Sequence, residues 1–274
     1  MKRRIVTDSS SDLIFLDGQD LKSVPLKIIT AEKEYVDDVN LDSENMLTEL
    51  QKYKGKSRSS CPNPDDYLKA FEGADEVFCV TITSGLSGSY NSASAAAKIF
   101  SEGGGRALVI DSLSAGPEPA LIIEKIGELI NKDLSFEQIE EEITEYMKST
   151  HLSFALESLT NLSRNGRVSP IVAKICGVLG IRVVGKAGDK GTLEVTGKAR
   201  GEKNALAHIF SDMKKNGYKG KKVRIHHAAN ENAAASLKDL IRSEYPEADV
   251  LICKTRGLCS FYAELGGLLV GYEG

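Results

Sequence analysis

The sequence predicts an α/β protein in two parts, an N-terminal parallel-sheet domain over residues 1–150 and a C-terminal mixed α/β domain over residues 151–274. Three observations carry this. Short apolar runs alternate with helix-like stretches through the first half, the pattern of a parallel sheet covered on both faces. Those runs end in hydroxyl- and carboxylate-bearing residues, as do strand ends that face the ligand crevice of an open α/β sheet. After Thr150 the character changes, and two strands flank the glycine-rich residues 185–191, which reads as a hairpin.

The elements follow in order. Residues 3–8 form a first strand ending in Thr7-Asp-Ser-Ser-Ser-Asp12, a polar end that either faces a ligand or caps the next helix. Residues 21–29 read as a second strand and 35–39 as a short third. A helix starts at Asp42 and runs to about Lys54. Two prolines then make residues 57–64 a fixed, extended loop that carries Ser59 and Ser60, with Asn63 or Asp65 capping a helix to Phe71. Val77-Phe-Cys-Val80 is a buried strand, residues 81–90 break every periodicity with Ser, Thr and Gly, and residues 89–100 are Ala-rich and helical. A strand, a hydroxyl-rich turn and a helix start make an anion site, or simply a loop with N-cap serines. Residues 107–112 form another strand with an acidic end, 117–131 a long helix, and 136–148 an amphipathic helix with Phe136, Ile139, Ile143 and Met147 on one face.

Beyond Thr150, residues 152–156 form a strand, 159–163 a helical turn and 165–169 a turn, and Pro170 opens a helix to about Gly177. Strands 181–184 and 192–196 make the hairpin. Helix 203–214, strand 223–227, helix 232–245, and strands 250–253 and 268–272 complete the second unit.

Composition bounds the function. The formal net charge of −4 argues against a general nucleic-acid surface, and the lysines at 214, 215, 219, 221 and 222 read as a solvated loop. Five cysteines (61, 79, 176, 253 and 259) without a C-x-x-C pair point to neither a disulfide framework nor a structural zinc. No apolar window is long enough for a signal peptide or a membrane span, so the expected location is cytoplasmic. The phosphate loop G-x-x-x-x-G-K-[ST] and the dinucleotide fingerprint G-x-G-x-x-G are missing. Gly85-Leu-Ser-Gly-Ser89 lacks the second glycine of a nucleophile elbow. His151 and His208 belong to no motif, and His226 and His227 point to opposite faces of a strand, so they cannot jointly grip a metal. Asp8, Asp12 and Asp111 could gather at one sheet edge. That leaves open a metal-dependent phosphatase or phosphotransfer enzyme with a phosphate in the serine loop.

Thr7-Asp-Ser-Ser-Ser-Asp-Leu13, Val24-Pro-Leu26, Ser59-Ser-Cys-Pro-Asn-Pro64, Ile82-Thr-Ser-Gly-Leu-Ser-Gly-Ser-Tyr-Asn-Ser-Ala93, Asp111-Ser112, Asn165-Gly-Arg-Val-Ser169 and Gly197-Lys-Ala-Arg200 stand in the order of the DegV family's motifs, which this chain resembles. The S-G-L-S-G-[ST]-Y segment is the most specific of them. The resemblance implies a two-domain protein that binds a long-chain fatty acid, such as palmitate or oleate, without covalent chemistry. The carboxylate would lie between the domains and the chain in an apolar tunnel of the C-terminal domain. It implies no enzyme activity, no cofactor and no metal, and delivery of the acid to a separate fatty acid kinase. Ser59 and Ser87 match the family's carboxylate contacts, with Ser60, Gly88 and Asn91 as neighbours, and Arg167 and Arg200 match its interface arginines. Many members carry a His-Thr-Gly-Pro-Gly segment near the head group. This chain reads Lys254-Thr-Arg-Gly-Leu-Cys-Ser-Phe-Tyr262, which puts Thr255 or Arg256 at the histidine position, with Arg256 as the replacement cation. A third reading is a regulatory protein whose lipid is purely structural and never exchanges.

Overall fold

The computed structural model describes residues 1–173 and 180–274. Three sheets organise the described residues. The first is the expected parallel sheet. Its strands are β1 (Arg3–Asp8), β2 (Leu21–Val24), β6 (Glu76–Thr81) and β7 (Arg106–Asp111), in the order β2-β1-β6-β7. The second is small and antiparallel, with β3 (Lys27–Ile29) between β4 (Glu34–Val36) and β5 (Arg58–Ser60). The third has β8 (Thr150–Leu156), β9 (Ile181–Ala187), β10 (Leu193–Arg200), β11 (Val223–His227), β12 (Val250–Lys254) and β13 (Leu268–Glu273), in the order β10-β9-β8-β13-β11-β12. Only β11 and β12 pair parallel there.

Two expectations need revision. The run over residues 21–29 is not one strand. Pro25 has no N–H to give a ladder, so the run breaks into β2 in the parallel sheet and β3 in the small one. The stretch around Ser59, expected as a loop, is strand β5, with Ser59 opposite Ile28.

Apart from the helix Gly257–Ala263, which no sequence signal marks, the helices keep close to their sequence signals. Asp42 caps α1 (Ser43–Lys52), accepting from the backbone N–H of Glu44 and Asn45. Asn63 closes a capping box with Asp66 on α2 (Pro64–Phe71). The serines do not cap α3 (Ser89–Glu102); Gly88 stands at its N-cap without a side-chain bond. α4 (Pro117–Asn131) and α5 (Phe136–Tyr146) follow, then α6 (Thr160–Arg164) and α7 (Pro170–Ala173). The expected continuation of α7 to Gly177, and Cys176, lie outside the described residues. α8 (Glu202–Lys215), α9 (Glu231–Glu244) and α10 (Gly257–Ala263) complete the set.

Residues alternate across the parallel sheet, so each face has its own core. Ile5, Phe78 and Val80 pack on α4 and α5, with Phe78 stacked on Phe136 at 4.8 Å between ring centres. Val6, Val77 and Cys79 pack on Tyr67, Phe71 and the small face of α3. α4 is buried on both sides because it also covers β13 of the mixed sheet. That close approach requires Gly271: a Cβ there would lie 2.6 Å from the Pro117 carbonyl carbon. α8 and α9 cover one face of the mixed sheet around Ile209, Ile225 and Leu237. On the opposite face, Leu152, Phe154, Leu156 and Val183 meet Leu162, Cys259 and Ala263.

Candidate functional site: a cavity at the carboxyl ends of the parallel strands

Parallel strands end on one edge, so β1, β6 and β7 deliver their polar ends together. Hydrogen bonds join the three loops that follow. Ile82 N donates to the Asp8 carboxylate at 3.0 Å, Thr83 N to Ser114 O at 2.8 Å, and Gly116 N to Ser10 O at 2.8 Å. Asp8 is fully buried and also accepts from Ser10 N at 3.2 Å and Ser10 Oγ at 2.5 Å. Burial outweighs these bonds and pushes its pKa up.

A cavity of about 320 Å³ opens between this edge and the mixed sheet. Its wall is apolar, with Leu26, Ile82, Leu152, Phe154, Leu258 and Leu269 prominent. Ser59, Ser60, Ser87, Gly88 and Arg167 supply its polar part, together with Cys61 and the Tyr262 hydroxyl. Arg167 is the one cation among the described residues lining it. Its Nε donates to Leu86 O at 3.2 Å and its Nη1 to Asn165 O, which lays the guanidinium along the serine loop. Ser87 Oγ accepts from Ser89 N at 3.3 Å and lies 3.2 Å from Ser89 Oγ at the start of α3. Ser59 Oγ and Tyr262 Oη are 2.6 Å apart. The β9–β10 turn closes on the serine loop from the other side. Gly191, with φ +67°, packs directly on Thr83, and a Cβ on Gly85 would lie 3.0 Å from Lys190 O.

Five of the eight residues singled out in the sequence therefore meet at the cavity: Ser59, Ser60, Ser87, Gly88 and Arg167. The other three lie elsewhere. Asn91 is exposed on the first turn of α3, and Arg200 is exposed at the end of β10. Arg256 is turned away from the cavity. Its Nη2 donates to Asp38 O and its Nε lies 3.8 Å from Asp37. Thr255 is occupied too, donating to His227 O and sharing a 2.7 Å bond with Ser260.

These contacts belong to a clamp that holds α10 onto the N-terminal half. Asp37 accepts from Gly257 N and Leu258 N, both at 2.8 Å, at the positive end of the helix. Asp12 accepts from Arg256 N at 2.7 Å and pairs with His226 Nδ1 at 2.8 Å. The Asp12 bond holds the buried His226 imidazolium against burial, raising its pKa to about 9. Asp111 accepts from Ser84 N and Leu113 N. Each of the three strand-end aspartates is thus engaged by protein donors, and among the described residues no three His, Cys, Asp or Glu side chains converge as a metal-binding group. No helix of the described residues is long and apolar enough to cross a membrane.

Tyr262 is a polar lining residue that sequence reasoning passed over as a site. Its only signal was its place at the end of the divergent segment 254–262. Burial keeps its phenol protonated above the usual range.

A family model described as "Uncharacterised protein, DegV family" matches residues 2–273. A DegV domain-containing protein of Streptococcus pneumoniae is 45% identical over 279 residues, covering 100% of this chain and 99% of the relative. Two solved structures align with a TM-score of 0.97 and 44% identity. One is a DegV family protein from Eubacterium eligens loaded with heptadecanoic acid, covering 99% of each chain. The other is the Streptococcus pneumoniae Fatty Acid Kinase (Fak) B3 protein loaded with linoleic acid, covering 100% of this chain and 99% of that one.

Proposed function

The chain belongs to the DegV family, and from that premise we propose that it binds a long-chain fatty acid in the cavity, non-covalently and without transforming it. The observation that carries this is the distribution of polarity: an apolar wall that carries the hydroxyls of Ser59, Ser60 and Ser87 and one guanidinium, with Arg167 bonded to Leu86 O next to Ser87 and Gly88 packed against Cys61 of the Ser59–Ser60 stretch. Hydroxyls and a cation suit a carboxylate that is held, and a saturated or unsaturated chain suits the leucines and Phe154. Ser59, Ser87 and Arg167 bind the head group, with Ser60 and Gly88 beside it. Arg256 belongs to the α10 clamp. Residues 1–150 and 151–274 act as the two domains, with the acid between them and its tail against the mixed sheet. The tail supplies most of the affinity: a dozen buried methylenes at ~0.8 kcal/mol each give about 10 kcal/mol gross, before ordering costs. No cofactor or metal enters this reading. The heptadecanoic and linoleic acids of the two similar structures support the ligand class, and the description of the pneumococcal one supports a fatty acid kinase as the partner that receives the acid.

Organic extraction of the purified protein and mass spectrometry test the reading. A stoichiometric fatty acid is expected, exchangeable for added palmitate or oleate. Finding no acid in the extract and no uptake of either would overturn it. Phosphatase activity dependent on divalent ions would favour the strand-end aspartates instead.

A further inference from the structure

Tyr262 reaches the cavity from α10, whose N-terminus is fixed by Asp12 and Asp37. Its ring packs edge-on against Phe261 at 4.8 Å, with the hydroxyl 2.6 Å from Ser59 Oγ. A hydroxyl pair at this distance makes one hydrogen bond, and either oxygen can be the donor. The two orders differ for an incoming anion. If Ser59 donates to Tyr262, its proton is spent and an oxygen lone pair faces the cavity. If Tyr262 donates to Ser59, the Ser59 proton is free to point at the anion. A carboxylate accepts only, so Ser59 can hold it in the second order alone. Hydrogen bonds in such a chain also polarise one another.

We propose that Tyr262 is a positioning residue for the head group: its hydroxyl donates to Ser59 Oγ and turns the Ser59 proton toward the bound carboxylate. This rests on the fatty-acid reading above. It deepens that reading by adding a residue that acts through Ser59. It also adds to Arg167 a second group from the C-terminal half in the machinery that distinguishes an acid from its neutral derivatives. Burial keeps the phenol protonated across the working pH range, so the relay does not switch off near neutrality.

Tyr262→Phe removes the donor and keeps the ring. Titrations of palmitate and of methyl palmitate into wild type, Tyr262→Phe, Ser59→Ala and the double variant form the test. Palmitate binding is expected to weaken three- to tenfold in Tyr262→Phe, methyl ester binding to change less than twofold, and thermal stability to stay within a degree or two. In the Ser59→Ala background, Tyr262→Phe is expected to change palmitate affinity by less than twofold, because the residue it acts through is gone. Unchanged palmitate affinity in Tyr262→Phe overturns the proposal, as does an equal loss with and without Ser59, which would mark a direct or purely structural role. An equal loss for acid and ester overturns it as well. Wild type that binds no palmitate at all would instead sink the fatty-acid reading itself.

Discussion

Asp8→Ala is expected to destabilise the protein by about 3–5 kcal/mol. Its carboxylate is fully buried at the end of β1 and ties two of the three strand-end loops together through Ser10 and Ile82. Removing it leaves the buried Ser10 and Ile82 N–H groups and the Ser10 hydroxyl without this acceptor, and each orphaned group costs about 1–3 kcal/mol. The loss should fall mainly on the loops that carry Ser87 and Gly88, so ligand affinity should drop with stability. Asp8→Asn is the informative contrast. Burial raises the pKa of the carboxyl and so penalises its charge, and an uncharged amide oxygen can still accept from Ile82, so this variant should lose less than half as much. Urea unfolding measures both. An unchanged midpoint in Asp8→Ala would mean that the loops hold themselves without it. If instead both variants lost a metal-dependent activity alike while keeping their stability, Asp8 would be a reacting group.

Glu118→Gln should make the protein more stable at pH 8 by an amount on the order of 3 kcal/mol. Glu118 is buried at the start of α4, where the Thr150 hydroxyl donates to it at 2.9 Å. Burial raises its pKa from 4.5 to about 7. The native state therefore holds a proton that the unfolded chain releases above pH 4.5. The stability contributed by that proton is fully present below pH 4.5 and is lost as pH rises through about 7. The gap corresponds to about 3 kcal/mol. Glutamine keeps an acceptor for Thr150 and cannot ionise, so the difference between variant and wild type should grow from pH 5 to pH 8. Asp37, raised to about 6, and Asp8 contribute their own slopes to both proteins and cancel in the comparison. Parallel stability curves would show that Glu118 ionises freely in the native state.

Much of the first half was legible because parallel-sheet strands are short apolar runs separated by helices. Val77–Val80 and the Ala-rich stretch after Ser89 are the clearest case, and they position the serine loop. The division of residues 21–29 was hidden because Val24 and Leu26 are apolar on both sides of Pro25, and only the pairing partners show that the chain changes sheet. α10 was invisible for a different reason. Gly257–Ala263 is short and buried almost all round, so it carries no amphipathic period. Its start is set by Asp37, 220 residues away along the chain. The same distance problem hid the Asp12–His226 pair and misdirected Arg256: a cation near a divergent motif reads as a ligand contact until Asp37 and Asp38 are seen beside it. Ser59, Ser87 and Arg167 were legible through motif resemblance, whereas Tyr262 needed the geometry.

The head-group assignment is tested most directly by comparing palmitate and methyl palmitate binding in wild type and Ser87→Ala. A hydrogen bond from Ser87 to a carboxylate is worth roughly 1.5–3 kcal/mol, which predicts a ten- to hundredfold loss of palmitate affinity with an unchanged unfolding midpoint and little change for the ester. Equal palmitate affinities in the two proteins would put the carboxylate somewhere other than the serine loop.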